Sequence, residues 1–145
     1  MNSIVTSKEA ILTVCRELTA ENGLQSLNMR AVAEKCNVSV GSIYNYFPSK
    51  ADLIAATIQD VWQVTFRIDK IRKKSNSFPD YVAWIFEGVN AGATQYPNFF
   101  NAHSMSFAST EKGKARLVME EYFGHMKAGL LEALQNDSNV ITAAF

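Results

Sequence analysis

Val40, Gly41, Ser42, Tyr44 and Asn45 share one side of a short predicted helix, small near its start and hydrogen-bonding further on. Such a face can approach a polar surface closely and then read it with hydroxyl and amide groups. The elements that position it follow from the surrounding sequence, NMRAVAEKCNVSVGSIYNYFPSK from Asn28 to Lys50. Asn28 can accept from an amide one turn ahead, and Leu27 and Val32 have hydrophobic-staple spacing, so a first short helix starts there. Asn37 ends it, because asparagine tolerates the left-handed conformation. Ser39 caps the next helix, Val38 and Ile43 form a second staple, and Ile43 and Phe47 turn inward. The pattern is a helix-turn-helix with its second helix offered outward.

Of the 145 residues, 48% are hydrophobic, enough to bury a core in one domain or two small ones. Fourteen Lys and Arg balance fourteen Asp and Glu, so a nucleic-acid surface has to come from local arrangement rather than net charge. No signal-peptide pattern and no apolar stretch of membrane-spanning length is present, and a cytoplasmic protein without a membrane span is expected. The two cysteines, Cys15 and Cys36, lack CxxC spacing and fall on apolar helix faces; burial is expected for both in preference to redox sensing. His103 and His125 have no metal-ligand spacing, and no HExxH, glycine-rich phosphate loop or paired nucleophile and base occurs. Neither enzyme chemistry nor a metal or cofactor is therefore expected.

Along the chain, Thr6 to Glu9 fits a capping box, and Ala10, Ile11, Val14, Cys15 and Leu18 repeat at helical spacing until Gly23. With Leu27, Val32, Ala33, Cys36, Ile43 and Phe47 this helix completes a three-helix core, giving a first domain over residues 1–50. Ser49 to Asp52 repeats the cap at the head of a long helix predicted to reach about Lys73. Leu53, Thr57, Val61, Val64, Ile68 and Ile71 form its stripe, widened by Ile54 and Ile58. The basic residues at its end, Arg67, Lys70, Arg72, Lys73 and Lys74, read better as a solvated face at a helix C-terminus than as a DNA contact.

Ser77 to Asp80 caps a further helix with a predicted stripe of Tyr81, Val82, Ile85, Phe86, Val89 and Ala93, stopped by Pro97. Asn98 to Thr110 holds at most a short helix through Phe99, Phe100, His103 and Phe107. From Glu111 the periodicity returns in Ala115, Val118, Met119, Tyr122, Met126 and Leu130 and ends near Asn136, and Val140 to Phe145 begins another helix. No strand alternation or internal repeat occurs, so the expected fold is all-α, with residues 51–145 as a second helical domain.

The run from Gly23 through Leu53 resembles the N-terminal DNA-binding domain of the tetracycline-repressor (TetR) family of bacterial transcription regulators. The resemblance rests on Gly23, Asn28, Val32, Ala33, Val38, Ser39, Ile43, Tyr44, Tyr46, Phe47, Ser49, Lys50 and Leu53. Asn28 stands where Thr or Ser is usual and Cys36-Asn37 where Ala-Gly is usual, and both are physically compatible with the fold. The resemblance implies that Val40, Gly41, Ser42, Tyr44 and Asn45 face the major groove and that Arg30 reaches a base edge or phosphate. It further implies that Tyr46 and Lys50 clamp the backbone and that Ser39 and Asn28 set helix N-termini against phosphates. Plainer roles stand beside these: Val40 as a first-turn packing residue and Tyr46 as a core aromatic next to Phe47.

The rest of the chain resembles the ligand-binding and dimerisation region of the same family. The implied effector pocket is lined by Trp62, Phe66, Trp84, Phe86, Tyr96, Phe100, His103, Phe107, Tyr122 and Met126, each also an ordinary core residue. Asn90, Gln95, Ser104 or His125 could orient a ligand there. Family members usually dimerise through two further C-terminal helices, and this sequence stops as the first begins, so either a truncated chain or dimerisation through other surfaces is expected. The implied protein is a homodimeric repressor that binds a palindromic double-stranded DNA operator and is released by an unidentified small-molecule effector. The effector would act through the helix from Ser49 to Lys73. The alternative is a helical ligand-binding or adaptor protein that no longer binds DNA.

Overall fold

The computed structural model describes residues 6–66, 77–100 and 113–140. Among them are six α-helices and one 3₁₀ turn, with no strand: α1 (Lys8–Asn22), the turn Leu24–Ser26, α2 (Met29–Cys36), α3 (Val40–Tyr46), α4 (Lys50–Phe66), α5 (Phe78–Gln95) and α6 (Lys114–Asn136).

Caps set most of these boundaries. Asn28 Oδ1 accepts from the Ala31 amide at 2.8 Å. Asn37, at φ 56° and ψ 44°, closes α2 by donating its N–H to the carbonyls of Ala33 and Glu34. Ser39 Oγ accepts from the Ser42 amide at 3.2 Å, and Ser49 Oγ accepts from the Asp52 amide at 3.1 Å. At α1 the cap is Ser7 rather than Thr6, its Oγ accepting from the Ala10 amide at 3.1 Å. The inward face of α1 differs from the expected stripe as well. It is Ile11, Cys15 and Thr19, one residue per turn; Val14 and Leu18 flank it half-buried and Ala10 is exposed. Four-residue steps keep a narrow stripe on one line of a helix, and Ala10, Val14 and Leu18 form the adjacent line.

Helix α4 is the spine. Leu53, Ile54, Thr57, Ile58, Val61, Trp62 and Phe66 are buried along it, and it packs against α1, α5 and α6. One buried cluster runs through it without a break, from Ile11, Cys15, Val32, Ile43 and Phe47 to Met119 and Tyr122. The predicted continuation to Lys73, with Ile68, Ile71 and the basic cluster from Arg67 to Lys74, lies outside the described residues.

Helix α5 buries only part of its predicted stripe, with Tyr81, Ile85 and Ala93 half-buried. Val82, Phe86 and Val89 are 43%, 70% and 40% exposed. Toward α4 it presents Trp84, Gly88 and Gly92. A Cβ at Gly88 would stand 2.5 Å from the Phe66 ring, and one at Gly92 2.6 Å from the Phe100 ring. Two glycines four residues apart thus let α5 approach the aromatic side of α4 closely, and a count of apolar residues does not detect a face made by missing side chains. Helix α6 follows its predicted stripe: Ala115, Met119 and Tyr122 are buried, with Val118, Met126 and Leu130 half-buried. Beyond its end, the Asp137 carboxylate accepts from the Phe78 amide at 3.0 Å and the Asn139 amide at 2.9 Å, joining the end of α6 to the start of α5. Of the further helix predicted from Val140 to Phe145, residues 141–145 lie outside the described residues.

Candidate nucleic-acid interface

Two fully rooted side chains aim α3. Ile43 and Phe47, 0% and 3% exposed, fix its inner side in the core. Its outer side carries Gly41, Tyr44 and Asn45, all exposed, with Tyr44 at 47%. Val40 is half-buried and packs on the core, and the Ser42 hydroxyl, also half-buried, lies 2.9 Å from that of Ser39. The fold places no demand for glycine on Gly41: a Cβ there would meet only Ser39 Oγ, at 3.8 Å. Asn28 and Arg30 are exposed at the start of α2. Lys50 is exposed at the first position of α4, where the helix dipole disfavours a cation. The structure therefore gathers a small open contact at Gly41, hydrogen-bonding groups at Tyr44 and Asn45, and a cation at the start of α4.

Tyr46 has a partner that its sequence context does not reveal. Its hydroxyl donates to the Thr6 carbonyl at 2.8 Å while the ring stays 42% exposed, so it ties the residues before α1 to the end of α3. Lys8 Nζ lies 5.9 Å from the centroid of the neighbouring Phe47 ring, within cation–π range. Lys35 reaches back from α2 to α1, 3.3 Å from Glu21 and 3.8 Å from Glu17. A half-buried ion pair between Arg16 and Asp60 then fixes α1 on α4.

The aromatic region is organised around Trp62. Its ring stacks on Phe66 and Tyr122, with centroids 5.1 and 5.8 Å away, and meets Phe99, Phe100 and Phe123 edge-on. Trp84 meets Phe66 edge-on at 5.7 Å. Of the predicted pocket residues, Trp62, Phe66, Trp84, Phe100 and Tyr122 are thus brought together. Phe66, Trp84, Tyr122 and Met126, with Tyr81 and His125, line a cavity of about 20 Å³, room for roughly one water. Tyr96 is buried beside Arg16 instead. Phe86 faces outward, and His103, Ser104 and Phe107 lie outside the described residues. An open groove of about 390 Å³ separates the α3–α4 turn from α6, lined in part by Lys8, Tyr46, Gln59, Lys114 and Leu117. Lys114 pairs there with Asp52, and this contact together with the Ser49 hydroxyl holds the Asp52 carboxyl below its ordinary range.

Among the described residues no group of three or more His, Cys, Asp or Glu is gathered as a metal site requires, and no helix is long and apolar enough to cross a membrane. Cys15 is fully buried, which pushes its thiol up to about 12, and Cys36 is half-buried and also raised by burial.

Residues 11–57, from α1 through the first half of α4, match the family model for bacterial regulatory proteins of the tetR family. The HTH-type transcriptional repressor KstR of Rhodococcus jostii (strain RHA1) is 39% identical over 51 residues, covering 35% of this chain and 24% of that protein. The HTH-type transcriptional regulator UidR of Escherichia coli (strain K12) is 40% identical over 52 residues, 36% of this chain and 26% of that one. The nucleoid occlusion factor SlmA of Haemophilus ducreyi (strain 35000HP / ATCC 700724) is 28% identical over 122 residues, 81% of this chain and 59% of that one. The chain thus covers about a quarter of the first two relatives and less than two thirds of the third.

Proposed function

We propose that this chain, whose residues 11–57 match the model for the tetR family of bacterial regulatory proteins, is a sequence-specific DNA-binding transcriptional regulator: a homodimeric repressor that a small-molecule effector releases from a palindromic operator. The observation that carries the reading is α3, rooted by Ile43 and Phe47 and open at Gly41, Tyr44 and Asn45. In this reading Val40, Gly41, Ser42, Tyr44 and Asn45 approach the bases. Arg30 reaches a base edge or phosphate, and Lys50, Tyr46 and the helix starts at Asn28 and Ser39 hold the backbone. One such helix reads few base pairs, so two copies on a two-fold axis supply the affinity. Residues 1–50 form the reading domain and residues 51–145 the regulatory one. An effector entering between Phe66, Trp84 and Tyr122 would part rings that pack along α4 and shift that helix.

Selection from a random duplex pool tests the reading. The expected product is a two-fold symmetric sequence. Tyr44→Ala should weaken its binding, and Lys50→Ala should weaken all sequences alike while lowering the slope of log K against log salt by about 1. Failure to enrich any sequence with the helices intact would leave the adaptor alternative. A second reading, as a nucleoid occlusion factor, draws on the match to SlmA, which extends over 81% of this chain. Under that reading the selected sites need not lie at promoters, which mapping them in the cell would reveal.

A further inference from the structure

The last turn of α1 is held from a distant point in the chain. A helix ends with carbonyls that have no partner within it. Here the Gly23 amide takes the carbonyl of Thr19 at 2.8 Å. The next two, Ala20 and Glu21, both accept from the side-chain amide of Asn98, at 2.6 and 3.0 Å. An asparagine amide carries two protons, so one side chain suits a pair of neighbouring carbonyls. Asn98 thus acts as a helix cap supplied from 77 and 78 residues away.

Each side of this contact leads somewhere. From α1 the chain passes through Gly23, at φ +87°, and the turn Leu24–Ser26 straight into the Asn28 cap of α2. Glu21, whose carbonyl Asn98 holds, also pairs through its carboxylate with Lys35 of α2. On the other side Asn98 lies between Tyr96, which is buried beside Arg16, and Phe99 and Phe100, which meet Trp62 edge-on. The amides of Phe99 and Phe100 donate to the Tyr96 carbonyl at 3.0 and 3.1 Å, which makes residues 96–100 one compact turn.

We propose that Asn98 is a positioning residue for DNA reading: a latch through which the packing of the Trp62 cluster sets the end of α1 and, through it, α2 and α3. The latch rests on the DNA-binding reading above and adds to α4 a second route between the aromatic region and the recognition helix. Release of Asn98 frees two carbonyls and lets the end of α1 turn while the core along α4 stays packed.

Linkage supplies a test on the unmodified protein. If the latched state binds the selected duplex better, that duplex must in turn favour the latched state. Amide exchange at Phe99 and Phe100, which belong to the second helical region, is therefore expected to slow severalfold when the duplex is added, and a scrambled duplex should slow it less. Asn98→Ala should weaken the selected duplex about five- to tenfold while leaving weak binding to the scrambled one within twofold. Asn98→Gln, which keeps the two protons, should recover part of the loss. The latch is overturned if exchange at Phe99 and Phe100 ignores the duplex, or if a folded Asn98→Ala protein binds the selected duplex within twofold of the original. If the original protein selects no duplex, the DNA-binding reading fails first and the latch falls with it. The exchange measurement decides the matter even where Asn98→Ala does not fold.

Discussion

The Tyr46 hydroxyl donates to the Thr6 carbonyl at 2.8 Å, a bond between residues forty positions apart. It ties the residue before the α1 cap to the end of α3. Tyr46→Phe removes the bond and keeps the ring. We expect unfolding in urea to be easier by about 0.5–1 kcal/mol, the usual net worth of one such bond. Amide exchange in the first turn of α1 should quicken. An unchanged midpoint would mean that the tie contributes nothing in solution.

Two glycines should respond to alanine in opposite ways. At Gly92 a Cβ would press on the Phe100 ring and on Thr65, at 2.6 and 2.9 Å, and overpacking of that kind costs about 1–3 kcal/mol. At Gly41 the fold leaves room, so Gly41→Ala should keep or raise the melting temperature, by up to about 1 kcal/mol of helix propensity. Its effect should fall on DNA: weaker binding of the selected duplex, through loss of close approach. Unaltered duplex affinity for Gly41→Ala would remove Gly41 from the interface.

Burial separates the two thiols. Cys15 is fully buried with its thiol pushed up to about 12, while Cys36 is half-buried and raised by burial as well. At pH 8 an alkylating reagent should modify Cys36 first and reach Cys15 only on unfolding. The folded state favours the protonated Cys15 thiol, so its stability contribution is complete below the ordinary thiol range and is lost as pH rises toward 12. Equal labelling rates for the two in the native protein would contradict this.

Asp137 works in the opposite direction. The amides of Asn139 and Phe78 hold its carboxyl below the ordinary range. Its contribution is present above the unfolded carboxylate pKa and is lost as pH falls through the lower folded value. The melting temperature of Asp137→Ala should lie below that of the original protein at neutral pH, with the gap closing in acid. A gap that stays constant with pH would assign the loss to packing rather than to the charge.

The reading helix was legible because its instructions are local. Asn28, Asn37 and Ser39 act within three or four residues, and the structure places each at the cap or turn expected. Ile43 and Phe47 turn inward at the spacing that predicts it. The face of α5 was only partly legible, because Gly88 and Gly92 pack by having no side chain and Phe86 contributes hydrophobicity without burial. Nor could spacing reveal Lys35 with Glu21, Tyr46 with Thr6, or Asn98 with the end of α1. These pairs are 14, 40 and 77 or more residues apart, and only the folded chain brings them within reach. Part of the expected effector pocket was found as a cluster, yet its rings close on one another around Trp62.

The unbroken core through α4 means that the helix-turn-helix is not a portable module. Residues 1–50 grafted onto another protein would carry Ile11, Cys15, Val32 and Ile43 without the Leu53, Ile54 and Ile58 that share their cluster. The graft would bare an apolar wall. A transplantable reading head has to extend through α4, and so brings with it the base on which the aromatic region is built.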